Sequence, residues 1–538
     1  MRDKLIFQNF LRYLFSLIVI LLLGSNLVIA QSRNDIPISP AGFTPSSEFR
    51  VTVDGKNVLV YSSPIPVAFC SFVINKPVDI VIKSLTRDVK WADLRPLSSG
   101  IKPVIKSDST ISFRIFKPGQ FSIELNGTFK IPLFLFANAP EIDKPGRTDK
   151  NVLYFESGKI HYPGSIKLRD NQQIYIEEGA IVVGNITGRN VHHIKVFGRG
   201  ILDGSYSRQF MDSCASANKT NGAVELAERG GDINGLILLS ECTDVTIKDI
   251  TLYNSKTWDV VPALCTNVNI NNIKIVSDNN SDDGIDIVST KNIRIRNSFI
   301  RTKDDCIAVK SHAKPHSPSE QTLSGQPLMG QLAYDQGDNQ LIPGPFFPVD
   351  SVTVKNCVFW NAAWGNALEI GFELSGDVRN ISFIDNDIIH VEGGAAFSIH
   401  NARRGVVSNI LIDNLRIEYA DQKLFDLAIF RSVYSEDGTR DSAEANRLYL
   451  NGIWDNVLKV TDAEKESHGK FRGHIKNITL KNVSVVDGPF PFSVFSGSDN
   501  NHLVENVSIE NLNVHGKNIK DIAGAKLYLE NTKNIIIR

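Results

Sequence analysis

The sequence predicts an all-β protein: a right-handed parallel β-helix preceded by an N-terminal β-sandwich. Three observations carry this expectation. A short apolar motif repeats along most of the chain. A column of Asn and Asp recurs at one fixed offset within it. Ahead of the repeat lie alternating stretches punctuated by Gly and Pro.

The repeat is an apolar residue, a gap, an apolar residue, a gap, Asn or Asp, two gaps and an apolar residue. It reads Val245-Ile247-Asp249-Leu252, Val268-Ile270-Asn272-Ile275, Ile293-Ile295-Asn297-Ile300 and Val352-Val354-Asn356-Phe359. It continues from Ile381, Ile410 and Ile478, and its last full copy is Val507-Ile509-Asn511-Val514. Weaker copies begin at Ile174 and Ile194. A period of about 20–29 residues lies in the range of solenoids. Alternation turns each apolar residue inward and each gap residue outward. Asn tolerates the left-handed backbone of a coil's bend, and stacked amides can bond along the axis. Insertions at about 204–238, 311–350 and 420–473 interrupt the coils, and such loops often build a solenoid's binding face.

Between about 40 and 140 the pattern changes. Phe49-Arg50-Val51-Thr52-Val53, Val78-Asp79-Ile80-Val81-Ile82 and Ile111-Ser112-Phe113-Arg114-Ile115 alternate with period two, separated by turns such as Asp54-Gly55 and Pro118-Gly119. This reads as an antiparallel sandwich. At the N-terminus, Arg2, Lys4 and Arg12 precede an apolar run from Leu14 to Leu23, and small residues lead to Val28-Ile29-Ala30. That order is the signature of a secretory signal peptide, and the run falls short of the ~20 residues of a spanning helix. The expected division is 1–30 signal, 31–145 sandwich and 146–538 β-helix. The expected location is secreted, extracellular or periplasmic.

Composition narrows the partners. The chain has 538 residues, 42% hydrophobic and 22% charged, with a formal net charge of −1. It lacks the basic footprint of a nucleic-acid binder and the charge excess of a membrane-surface protein, so neither partner is expected once the signal is cleaved. Six Cys are too few for a disulfide scaffold. Export would permit disulfides among Cys70, Cys214, Cys242, Cys265, Cys306 and Cys357, while Cys306 and Cys357 fit buried free thiols equally well.

The chemistry concentrates at Ser281-Asp282-Asp283-Gly284-Ile285-Asp286-Ile287 and Lys303-Asp304-Asp305-Cys306-Ile307-Ala308-Val309. Aligning Ile285 with Ile307 sets Asp283 over Asp305, one coil apart, with Asp304 beside them. Adjacent strands lie about 4.7–4.9 Å apart, so the carboxyls crowd one patch. Crowded acids raise at least one pKa, giving a proton donor beside an ionised base. Glycoside hydrolysis needs that pairing. Clustered acids also suit calcium, but no metal-loop repeat accompanies these, and no metal or cofactor is expected.

These stretches resemble a known family. Asn280-Ser281-Asp282-Asp283-Gly284-Ile285-Asp286 is similar to the NTDGID motif of the polygalacturonases, glycoside hydrolase family 28, and Asp304 to Lys310 is similar to their DDCIAIK motif. Gly198 to Gly204 and Trp258 to Asn267 resemble the family as well. The resemblance implies Asp304 as general acid, with Asp283 and Asp305 holding the attacking water and inversion at the anomeric carbon.

The departures bear on substrate. The family's GHG histidine falls on Asn366, and its RIK motif, which holds a uronate carboxylate, falls on Ser398-Ile399-His400. The outward column instead reads Asp286, Ala308, Glu369 and Ser398, and its two acids would repel a polyuronate. The expected substrate is therefore an α-linked polysaccharide or oligosaccharide of neutral or differently charged sugars, resembling those of the dextranases and isopullulanases of family 49, which also set a sandwich before the helix. Asp286, Lys310, Asn366, Glu369, His400 and Trp258 are the expected substrate-binding residues. The alternatives are a polygalacturonase-type pectin hydrolase, a β-helical polysaccharide lyase and a non-catalytic carbohydrate-binding protein.

Overall fold

The computed structural model describes residues 45–62, 65–205, 235–311, 346–432, 434–435, 437–438 and 458–538. The targeting segment, Cys214 and most of the three expected insertions lie outside these residues.

Two five-stranded sheets come first. In one, Phe49–Val53, Val78–Ser84 and Thr110–Ile115 pair antiparallel. Val78, Ile80 and Ile82 point into the core and Asp79 points out, as their alternation requires. The other sheet departs from expectation at one pairing: Thr128–Asn138 runs parallel to Ala68–Val73. The chain between them visits the first sheet and returns in the same direction, the long crossover that parallel neighbours need. This sheet is covered on both sides, so Leu133 to Ala137 is buried without alternation. Phe69, Phe134 and Phe136 pack outward on Tyr253, Phe299 and Trp360 of the solenoid.

From Val152 to Ile537 the strands form a 29-stranded sheet wound on itself, in which strands pair in parallel with their counterparts on the next coil, save Lys517–Ile519, which pairs antiparallel with Val504–Val514. Parallel crossovers are overwhelmingly right-handed, and this is a right-handed parallel β-helix. The repeat positions stack in register, as in Val245↔Val268↔Ile293↔Val352↔Ile381. The pairing of Ile293 with Val352 passes over the insertion between them without losing register. One further coil follows the last repeat seen in the sequence, with Ile535 on Val507.

The bend column behaves as its chemistry dictates. Asp249, Asn272, Asn297, Asn356, Asp385, Asn414, Asn482 and Asn511 all have positive φ. Their amides bond along the axis, Asn272 to Asp249 at 2.7 Å and Asn356 to Asn297 at 2.7 Å. A second ladder accompanies it, just ahead of each apolar triplet. Asp244, Asn267, Asn292, Asn380, Asn409, Asn477, Asn506 and Asn534 also have positive φ, and Asn267 bonds Asp244 at 3.0 Å. Cys70, Cys242, Cys265, Cys306 and Cys357 are buried free thiols. Among the described residues no helix is long and apolar enough to cross a membrane.

Candidate active site

One strand column presents the acids: Val260–Ala263, Ile285–Val288, Ile307–Lys310, Leu368–Phe372, Ala395–Asn401 and Lys423–Ile429. Ile285 pairs Ile307, Ile307 pairs Leu368 and Leu368 pairs Phe397, all facing inward. Ahead of these strands the Gly284 N–H donates to the Asp305 carbonyl at 2.8 Å. A Cβ at Gly284 would collide with the Cys306 carbonyl, so the coils close here only on glycine.

Asp304 lies on the turn before Ile307–Lys310, and Asp282 shapes that turn. The buried Asp282 carboxylate accepts the N–H groups of Asn279 (2.9 Å), Lys303 (2.9 Å) and Asp304 (3.1 Å). From the next coil the Asn361 amide donates to the carbonyls of Lys303 (3.1 Å) and Asp304 (2.9 Å). Burial, then Asp283 and Asp305, pushes the Asp304 carboxyl up to about 10, so it carries a proton at neutral pH. Asp305 takes two hydrogen bonds from Asn366 on one oxygen, backbone at 2.6 Å and amide at 3.2 Å. Burial, with Glu369 and Asp283, also pushes Asp305 well up.

Lys310 is buried beneath them. Its ammonium lies 3.0 Å from Asp283 and 2.7 Å from Asp286. It also sits 4.0 Å from the centre of the half-buried Trp258 ring. Two coils on, His400 is clamped between carboxylates, Nδ1 3.1 Å from Glu369 and Nε2 3.1 Å from Asp426. Burial draws its pKa down, but Glu369 and Asp426 outweigh burial and carry it to about 10. Ser398 donates to Glu369, and Lys423 bonds Asp426.

This arrangement gathers Asp283, Asp304, Asp305, Asp286, Lys310, Asn366 and Trp258 in one place, with Glu369 and His400 alongside. It also corrects the charge argument drawn from the sequence. Asp286 and Glu369 are fully buried and face Lys310 and His400 rather than open groove. They are braces beneath the floor, each set against a basic side chain. Among the described residues no group of three His, Cys, Asp or Glu is placed to hold a metal ion.

Sequence reasoning missed Asp259, Asp282, Asn361, Lys423 and Asp426. Asp282 stands in the same run as Asp283, so its motif is visible but its turn-forming role is not. Asp426 continues the outward column through Ser398↔Asp426, a register hidden because Lys423–Ile429 lacks the Asn signature. Asp259 is buried, and burial with Asp282 and Asp283 pushes its carboxyl well up.

A family model, "Glycosyl hydrolases family 28", matches residues 145–325. Over that stretch the chain is similar to the family 28 glycosyl hydrolases. That region contains Asp283, Asp304 and Asp305. A probable polygalacturonase of Vitis vinifera is 26% identical over 185 residues, 34% of this chain and 32% of that protein. A polygalacturonase of Juniperus ashei is 34% identical over 116 residues, 21% of this chain and 22% of that protein. The chain thus spans about a third or less of the length of these relatives. Among solved structures, Dex49A from Penicillium minioluteum shares the fold over 94% of this chain and 96% of its own, at a TM-score of 0.53 and 13% identity.

Proposed function

We propose that this protein is a secreted inverting glycoside hydrolase that cleaves an α-linked polysaccharide. Asp304 gives its proton to the leaving glycosidic oxygen. Asp283 takes the proton of the attacking water, which Asp305 helps to orient. The water bonds to the anomeric carbon from the opposite face, and the configuration inverts. One observation carries this reading. A carboxyl held protonated stands beside a carboxylate paired to Lys310, which separates acid from base. Export rests on the N-terminal segment.

The substrate proposed is a neutral α-glucan, dextranase- or isopullulanase-like, because Ser398 and His400 stand where family 28 sets Arg and Lys. A second reading, polygalacturonate, is favoured by the likeness of residues 145–325 to family 28 and by the polygalacturonases among the similar proteins. A reducing-end assay across dextran, pullulan, polygalacturonate and algal galactans tests both. Release from dextran or pullulan is expected, and release from polygalacturonate alone would select the second reading. Proton NMR of the earliest products should show the inverted anomer, and the retained anomer would overturn the mechanism. Products carrying a new ultraviolet-absorbing double bond would mean a lyase.

A further inference from the structure

Trp364 lies on the bend that leads into Leu368–Phe372, and it is 46% exposed. An isolated surface aromatic is ordinary. This one is held at three points. Its backbone N–H donates to the Lys303 carbonyl at 3.0 Å. Its carbonyl accepts the Asn361 amide at 2.6 Å. Its indole N–H donates to the Asn280 carbonyl at 2.9 Å. The Lys303 ammonium stands 5.6 Å from the ring centre. Each tie connects Trp364 to the acid turn. Lys303 precedes Asp304, Asn361 also bonds the Asp304 carbonyl, and Asn280 opens the motif that contains Asp283. Gly365 next to it has φ +79°, and a Cβ there would overlap Asp304 Oδ1. The chain therefore holds an aromatic surface beside the acid turn while leaving nearly half of it in solvent.

We infer that Trp364 is the stacking platform for the sugar ring beside Asp304, a binding residue for a pyranose that offers a C–H-rich face. This rests on the hydrolase reading above. An aromatic ring offers a large apolar surface with little entropy to lose, and pinning removes most of what remains. The ties to both acid-bearing turns fix the distance from the stacked ring to the bond being cut.

The test uses Trp364→Ala and Trp364→Phe in the full chain, assayed on whichever polysaccharide of the panel the wild type hydrolyses. Trp364→Ala should raise KM about tenfold or more, as removal of one ring that stacks on the sugar requires, with kcat and Tm little changed. Trp364→Phe should recover most of the affinity. Calorimetric titration of isomaltotetraose, maltotetraose and tetragalacturonate into the Asp304→Asn protein reads the subsite without turnover. Trp364→Ala in that background should weaken a tetraglucoside by a similar factor. Unchanged KM and unchanged tetrasaccharide affinity in Trp364→Ala would overturn the inference, as would binding of none of the three. A wild type that binds a tetraglucoside through Trp364 but hydrolyses nothing would overturn the hydrolase reading instead.

Discussion

The ammonium of Lys310 lies 3.0 Å from Asp283 and 2.7 Å from Asp286, so one cation from a later coil ties two acids of the coil before it. Removing one partner of a buried pair leaves the other charge uncompensated, at a cost of about 3–5 kcal/mol. Lys310→Met should lower the unfolding free energy by that amount in urea melts and cut hydrolysis sharply. A variant that unfolds at the wild-type urea concentration would show that the tie carries no weight.

Asp304→Asn should reduce hydrolysis by about 10²–10⁴, the usual range for a proton-transfer group. Its pH behaviour is the sharper measurement. The folded Asp304 keeps its proton to about pH 10, whereas an unfolded Asp releases it near 3.9. Its contribution to stability is therefore present below about pH 4 and lost as pH rises through 10. Wild type and Asp304→Asn should melt together at pH 4, and the variant should melt higher at pH 9. Hydrolysis should persist into alkaline buffer and fall as Asp304 ionises. A gap in Tm that is constant with pH would contradict the proton on Asp304.

His400 faces carboxylates on both ring nitrogens, so its charge stabilises the fold below its ordinary pKa near 6.5, and that help fades as pH rises through about 10. His400→Gln leaves Glu369 and Asp426 facing a neutral group and should cost about 3 kcal/mol or more at pH 6. The difference from wild type should shrink in melts above pH 10. Equal stability of the two proteins at pH 6 would mean that His400 is uncharged.

Arg95 joins the sandwich to the solenoid. Its guanidinium lies 3.1 Å from Glu124 and 2.7 Å from Glu418, both buried, and His390 lies 2.7 Å from Glu124. Arg95→Met should lower stability by about 3–5 kcal/mol while KM stays unchanged, since Asp304 and its neighbours lie on other coils. A variant with wild-type stability would assign the seam wholly to the aromatic packing of Phe134 on Phe299 and Trp360.

The solenoid is legible in the sequence because its cause is local. Each coil needs three inward apolar residues and one bend, and the Asn or Asp at that bend is visible in every full copy. The second ladder at Asn267 and Asn292 is equally visible, but a polar residue ahead of a strand reads as ordinary turn polarity. The parallel pairing of Thr128–Asn138 with Ala68–Val73 is not legible, since alternation reports burial and not direction. At the site, stacking two motifs is enough to set Asp283 over Asp305. What alignment cannot supply is where the long side chains end. Asp286 and Glu369 point outward from their strands, as alternation requires, yet Lys310 and His400 from later coils fold over them and turn expected ligands into supports. Asp426 and Lys423 stay hidden because their coil carries no motif.

The register of Ile293 on Val352 across dozens of intervening residues has an evolutionary consequence. A segment that leaves and rejoins the stack at one bend changes neither neighbour. The chain can lengthen, shorten or exchange such segments while the coils bearing Asp283, Asp304 and Asp305 keep their spacing.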